Sequence, residues 1–308
     1  MCIRDRRFSV WPEPGRSVSE ILDLARLADE LGWFGFWFAD HYMPNTGSAD
    51  IKPGDVHEVW SILPAVAAVT NSIRIGPLVA PTSVHHPALL ANRIATLDHV
   101  SAGRAVLGLG AGWQINEHAA YGIELEEPKT RVDRFDEAIQ IARSLLDNDR
   151  TSFSGTHYTI TDAPADPKPV QDQLPILVGT GGRRMCAITA RHAQEWNTWG
   201  APEMATGRRA VFEDACARVD VDPAAKHTSV QAVVAITEDA ERIERMTSGP
   251  MAERTIAGSS EQIVDAVGKL KDLGFAEFIV FDAGLGRTPE ERLDGYRRFD
   301  SEIAAHFA

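Results

Sequence analysis

Eight times in succession the sequence passes from a short β-forming run to a longer helical one, and no other feature narrows the fold as far. "FSVWP" leads into "SVSEILDLARLADELG", where Ile21, Ala25, Ala28 and Leu31 share one helical face. Ser17 with Glu20 reads as a capping box and Gly32 as the stop. Phe34, Phe36 and Phe38 alternate with Gly35 and Trp37 in a strand buried on both faces, which leaves the core at Asp40 and His41. A polar loop over 45–55 and an apolar helix from about Glu58 to Val69 follow. "SIRIGPLVA", "RAVLGLGAG", "ILVG", "WNTW", "SVQAVVAIT" and "AEFIVFD" supply the remaining strands, with helical sequence between them. Ser259 with Gln262, and Pro289 with Glu291, mark the last two helix starts.

Strands that alternate with helices build parallel sheets, and eight units within one domain's length point to an α/β fold closed as a (β/α)8 TIM barrel. The expected domain is a single barrel over residues 7–308. Residues 151–175 are an insertion near the C-terminal mouth, formed by the hairpin "TSFSGTHYTI" and a Pro-rich loop. Residues 1–6, "MCIRDR", are unlike the strand that follows and read as a non-native start without the apolar region of a secretory signal.

The net charge is −13, with acidic and basic residues interspersed, so there is no electrostatic footprint for nucleic acid. No apolar run reaches the roughly 20 residues of a membrane helix. Cys2, Cys186 and Cys216 are widely separated and form no CxxC pair, which argues against a disulfide framework or zinc knuckle and fits a reducing cytoplasm. His85 and His86 are adjacent, not at a metal-binding spacing, so no metal is expected.

In a barrel the C-terminal strand ends carry the chemistry. Asp40, His41, the "GLGAGW" turn and "VGTGGRR" all fall there. In the last of these, Gly179, Gly181 and Gly182 let backbone amides approach an anion, a helix N-terminus follows, and Arg183 and Arg184 add charge. A Gly-rich turn with solvated arginines is the alternative. Gly108, Gly110 and Gly112 are too closely spaced for a dinucleotide fingerprint and read as a crowded turn beneath a planar ligand. Trp113 fits either a core or a rim aromatic, and Glu117 with His118 fits the surface of the next helix. Pro77 inside a strand pattern and Pro81 beyond it signal an irregular third strand.

Taken together, "WFADHYMPN", "IRIGPLVAPTSVHHPALLA", "DHVSAGRAVLGLGAGWQINEHAAYGI", "DAPADPKPVQ" and "PILVGTGGRRM" resemble the bacterial luciferase-like superfamily, in its branch of oxidoreductases that use the deazaflavin coenzyme F420. The resemblance implies a metal-free barrel with the coenzyme lying across the strand ends. Asp40 and His41 would be the catalytic pair beside the ring, with His41 managing a proton and Asp40 raising its basicity or holding its tautomer. Leu78 and Val79 would form a bulge behind the ring, joined by a non-proline cis peptide. Ala111, Trp113, Gln114 and Glu117 would border the coenzyme, and Gly179, Thr180, Gly181, Gly182 and Arg183 would bind its phosphate. The implied activity is hydride transfer between coenzyme F420 and a small organic substrate. An FMN-dependent monooxygenase of the same superfamily and a non-catalytic deazaflavin-binding barrel are the alternatives. Substrate choice is expected to reside in the insertion and in the loops after strands two, four and five. The expected partner is a small-molecule substrate, with neither nucleic acid nor membrane, and a homodimer is admitted.

Overall fold

A computed structural model describes residues 7–307. The reading of residues 1–6 lies outside them. In chain order the elements are β1 (Arg7–Trp11), α1 (Val18–Glu30), β2 (Gly35–Phe38), α2 (Val59–Val69), β3 (Arg74–Pro77), β4 (Ala80–Pro81), α3 (Pro87–Val100), β5 (Leu107–Gly110), α4 (Ile115–Tyr121) and α5 (Pro128–Asp147). There follow β6 (Arg150–Ser154), β7 (Thr159–Pro164), β8 (Ile176–Gly179), α6 (Arg183–His192), β9 (Glu195–Trp199), α7 (Pro202–Arg218), β10 (His227–Ile236), α8 (Ala240–Thr247), β11 (Thr255–Gly258), α9 (Ser260–Asp272), β12 (Glu277–Phe281) and α10 (Pro289–Glu302).

The main sheet runs β3-β2-β1-β12-β10-β9-β8-β5-β4, with β11 added beside β10. All of its pairings are parallel. β3 and β4 are two halves of one barrel strand, and the peptide Leu78–Val79 between them is cis. Closure comes from that same strand: Ile75 N–H donates to Arg104 O at 3.0 Å and Val106 N–H to Ile75 O at 2.9 Å, which joins β3 to β5. Eight barrel positions result, as the alternation requires. Among the described residues, no helix is long and apolar enough to cross a membrane.

The local signals act where the sequence places them, with one exception. Ser259 with Gln262 and Thr288 with Glu291 form complete capping boxes. Ser17 Oγ accepts from Glu20 N–H, but the Glu20 carboxylate turns to Arg16 and Arg292 and leaves that box half made. A nearly buried carboxylate gains more from two guanidinium groups than from one backbone amide.

Side-chain alternation along the strands separates two cores. Phe36 and Phe38 pack outward among the helices, whereas Trp37 points into the barrel with Trp11, Ala39, Leu78, Val106, Leu177 and Ile279. At the strand N-terminal end, Glu277 accepts from Trp37 Nε1–H at 2.8 Å and lies 2.8 Å from His227 Nε2. That end is filled, so space for a ligand is left at the opposite end.

β6 and β7 form the expected antiparallel hairpin. Its tip reaches the mouth end of the barrel, where the Tyr158 ring meets His86 at 5.3 Å, but it lies on the outer wall. Glu137 of α5 holds it there by accepting from the backbone N–H groups of Thr156, His157 and Tyr158. Further along, Val170 and Gln171 donate to Asp98 at the far end of α3. The carboxylates of the outer helices thus hold the insertion away from the mouth's opening.

Candidate functional site

The C-terminal strand ends enclose a cavity of about 600 Å³. One side is built from the ends of β2, β3/β4, β5 and β8, and the other from those of β9, β10, β12 and β1.

On the first side β2 stops at Phe38, so the next residues are free to diverge. His41 lines the cavity and is partly exposed. Its Nδ1 lies 3.1 Å from Glu117 Oε1, and Glu117 Oε2 accepts from Tyr42 N–H at 3.0 Å. A buried carboxylate that already accepts a backbone amide completes its bonding by accepting Nδ1–H, which leaves Nε2 as the ring nitrogen open to chemistry. Trp113 packs edge-on to His41 at 5.5 Å and is 56% exposed, which settles it as a rim aromatic.

Asp40 does not serve His41, contrary to the expectation from the sequence. Its carboxylate is buried and lies 2.8 Å from His85 Nε2. Arg93 Nη1 lies 3.2 Å from His85 Nδ1, a donor that fixes the proton of this imidazole on Nε2. The Tyr42 hydroxyl sits 3.3 Å from the same Nε2, and burial, with the negative charge of Asp40, pushes its pKa up. The two adjacent residues therefore have different partners, joined through Tyr42, whose N–H meets Glu117 and whose hydroxyl meets His85, and Asp40 lies outside the cavity lining.

Leu78, Val79 and Pro81 make an apolar floor. A Cβ on Gly110 would stand 2.7 Å from a Val79 methyl, so this glycine is required by the close approach of the third strand. Ala111, Trp113 and Glu117 line the cavity. Gln114 does not: it is buried, and its Nε2–H donates to Met43 O at 2.9 Å, which pins the loop that carries His41. His118 bonds to Gln114 O and Ser83 Oγ and belongs to the same scaffold.

At the end of β8, Gly179, Thr180 and Gly181 line the cavity. Gly182 is the N-cap of α6 and has no side chain to occupy the first-turn amides. Arg183 is exposed and outside the lining, while Arg184 pairs with Asp133 of α5. At this end of the cavity the lining arginine is instead Arg208 of α7, whose Nη1 donates to Gly181 O at 2.8 Å. The sequence carried no signal for it, because the packing of α7 beside α6 decides which face of α7 looks into the mouth.

The second side is aromatic and polar. Trp11, Trp199 and Phe281 lie in mutual ring contact at 4.9 to 5.8 Å between centroids. Asn197, Thr198, Gln231, Met251 and Arg254 complete it. Among the described residues no cluster of His, Cys, Asp and Glu could hold a metal ion. An apolar floor leading to amide and guanidinium donors suits a planar ring with an acidic tail.

Comparison with known proteins places the chain in a family. Residues 5–273 match the luciferase-like monooxygenase family. An F420-dependent glucose-6-phosphate dehydrogenase of Microbacterium testaceum is 29% identical over 301 residues, covering 86% of this chain and 88% of that protein. The enzyme of the same name from Amycolatopsis mediterranei is 34% identical over 166 residues, a match spanning 53% of this chain and about half, 48%, of that protein. In structure, an F420-dependent secondary alcohol dehydrogenase in complex with an F420-acetone adduct superposes with a TM-score of 0.83 at 18% identity, covering 97% of this chain and 99% of that one. The coenzyme F420-dependent tetrahydromethanopterin reductase of Methanopyrus kandleri gives 0.82 at 17% identity, with 99% and 100% covered. At these identities the superpositions speak for the fold, and the sequence match carries the membership: the chain belongs to the luciferase-like monooxygenase family.

Proposed function

We propose that the protein is a coenzyme F420-dependent oxidoreductase that transfers a hydride between the deazaflavin and a small organic substrate in this cavity. The reading rests above all on one juxtaposition: an imidazole with its Nδ1 fixed by a buried carboxylate stands over an apolar floor that ends in backbone amides and Arg208. The named activities of the sequence relatives support it.

The bound coenzyme would supply a ring carbon that carries the hydride. Leu78, Val79 and Ala111 would back its ring, and Thr180, Gly181, the first-turn amides of α6 and Arg208 would hold its acidic tail. Arg183 would act from the rim. His41 would hold or accept a proton at Nε2, and Glu117 would keep the ring turned so that Nε2 faces the reacting groups. Trp113 and the Trp11, Trp199 and Phe281 cluster would exclude water and orient the substrate. A local cationic end within an acidic protein gives an acidic coenzyme one place to dock.

Titration of the purified protein with F420 and with FMN tests the reading. Micromolar F420 binding with FMN at least about tenfold weaker, a gap of about 1.4 kcal/mol, is the expected result. Equal affinities, or FMN that co-purifies with the protein, would assign it to flavin chemistry, and F420 binding with no turnover of any acceptor would leave a binding barrel.

A further inference from the structure

We propose that the aromatic side of the cavity recognises an anionic group on the substrate, with Arg254 as its counterion and the Trp11, Trp199 and Phe281 surface as the seat of a planar apolar body. The substrate class is therefore an organic acid. The assignment to substrate rests on the coenzyme reading, which fills the other side of the cavity.

Barrel order separates the two halves. Apart from Arg208, which reaches across from α7, the residues assigned to the coenzyme come from the ends of β2, β3/β4, β5 and β8, whereas β9, β10, β12 and β1 are consecutive neighbours in the remaining arc. Trp199 ends β9, Phe281 ends β12 and Trp11 ends β1, so their rings meet over that arc. Arg254 reaches it from the turn before β11, which is tied to the end of β9 by Ala201 N–H donating to Glu253 O at 2.8 Å. Its guanidinium carbon lies 5.5 Å from the centre of the Trp199 ring. A guanidinium held over an indole keeps its in-plane N–H groups available to a planar oxyanion.

The charges in the cavity are unbalanced at this point. Arg208 donates to Gly181 O, and the lining carboxylate, Glu117, is committed to His41 and Tyr42 N–H. Arg254 has no carboxylate partner among the described residues. A cation on a cavity wall without a counterion, in a chain of net charge −13, selects for a negative ligand.

Tryptophan-fluorescence titration with benzoate and its neutral isostere benzamide, in the presence and absence of F420, tests the proposal. Benzoate should bind at least about tenfold more tightly than benzamide. Arg254→Gln should abolish that preference while leaving benzamide binding and F420 affinity unchanged, and Arg208→Gln should retain it. Circular dichroism on each variant establishes that it is folded. No preference in the wild-type protein, a preference that survives Arg254→Gln, or one lost in Arg208→Gln overturns the proposal. If F420 fails to bind while Arg254 still discriminates benzoate from benzamide, the coenzyme reading falls and the anion site stands.

Discussion

The Asp40 carboxylate lies 2.8 Å from His85 Nε2, while its chain neighbour His41 is held through Nδ1 by Glu117 at 3.1 Å. Two adjacent residues at one strand end thus do different work. His41 is presented to the cavity, and Asp40 ties the loop after β2 to the residues before α3. β2 ends at Phe38, so Asp40 and His41 lie beyond the strand's alternation and each takes the partner that packing brings to it.

His41→Ala should lower turnover by about a hundredfold or more, the usual loss for a general acid or base, with coenzyme affinity changing much less. Single-turnover hydride transfer measured with melting temperature on the same samples checks it. Normal transfer by the folded variant would remove the catalytic role.

Glu117→Gln should lower turnover less than His41→Ala, by about tenfold. The amide can still accept from Tyr42 N–H but no longer offers two acceptor oxygens, so the imidazole loses its fixed orientation. Pre-steady-state kinetics under saturating coenzyme give the comparison, and an effect equal to that of His41→Ala would make Glu117 a direct participant.

Asp40→Asn should register as lost stability, about 1–3 kcal/mol, because the buried acceptor for His85 is changed. Denaturant unfolding measures it. A large fall in turnover per folded molecule, with stability preserved, would restore Asp40 to the chemistry.

Arg208→Ala should weaken coenzyme binding by about 1–3 kcal/mol, and Arg183→Ala by less, since the Arg208 side chain is the one that reaches the cavity. Gly181→Ala should mimic Arg208→Ala, because the new Cβ would meet the Arg208 guanidinium and displace it. Coenzyme titration of the three variants checks the order, which a dominant effect of Arg183 would reverse.

Asp282 gives the fold a pH dependence. Burial pushes its carboxyl up from 3.8 to about 6, against the attraction of Arg16 and Arg292, and Glu13 adds to the rise. A native value above the unfolded one means that its contribution is fully present below about 3.8 and lost as pH rises through about 6. Relative to Asp282→Asn, the wild-type protein should lose about 3 kcal/mol over that window. Denaturant unfolding from pH 4 to 7 tests this, and a constant difference between the two proteins would refute it.

The barrel was legible in the chain's own pattern, because strand and helix periodicities are local consequences of which faces are buried, and eight alternations leave few ways to bury them. So were the helix starts at Ser259 and Thr288, the irregular third strand, and the arrival of His41 at a strand end, since caps, prolines and strand termini act within a few residues. The side-chain partners, by contrast, depend on how distant segments pack together. Glu117 meets His41 across 76 positions and His85 meets Asp40 across 45, distances over which no residue pattern encodes a contact. The same holds for Arg208 and Arg254, which look like ordinary charged residues until closure of the barrel and packing of α7 and the turn before β11 bring them to one cavity. The insertion makes the complementary case. Its hairpin was legible from alternating β-formers around a turn, but its place on the outer wall follows from Glu137 collecting three backbone amides. That contact exists only once α5 has been laid against the barrel.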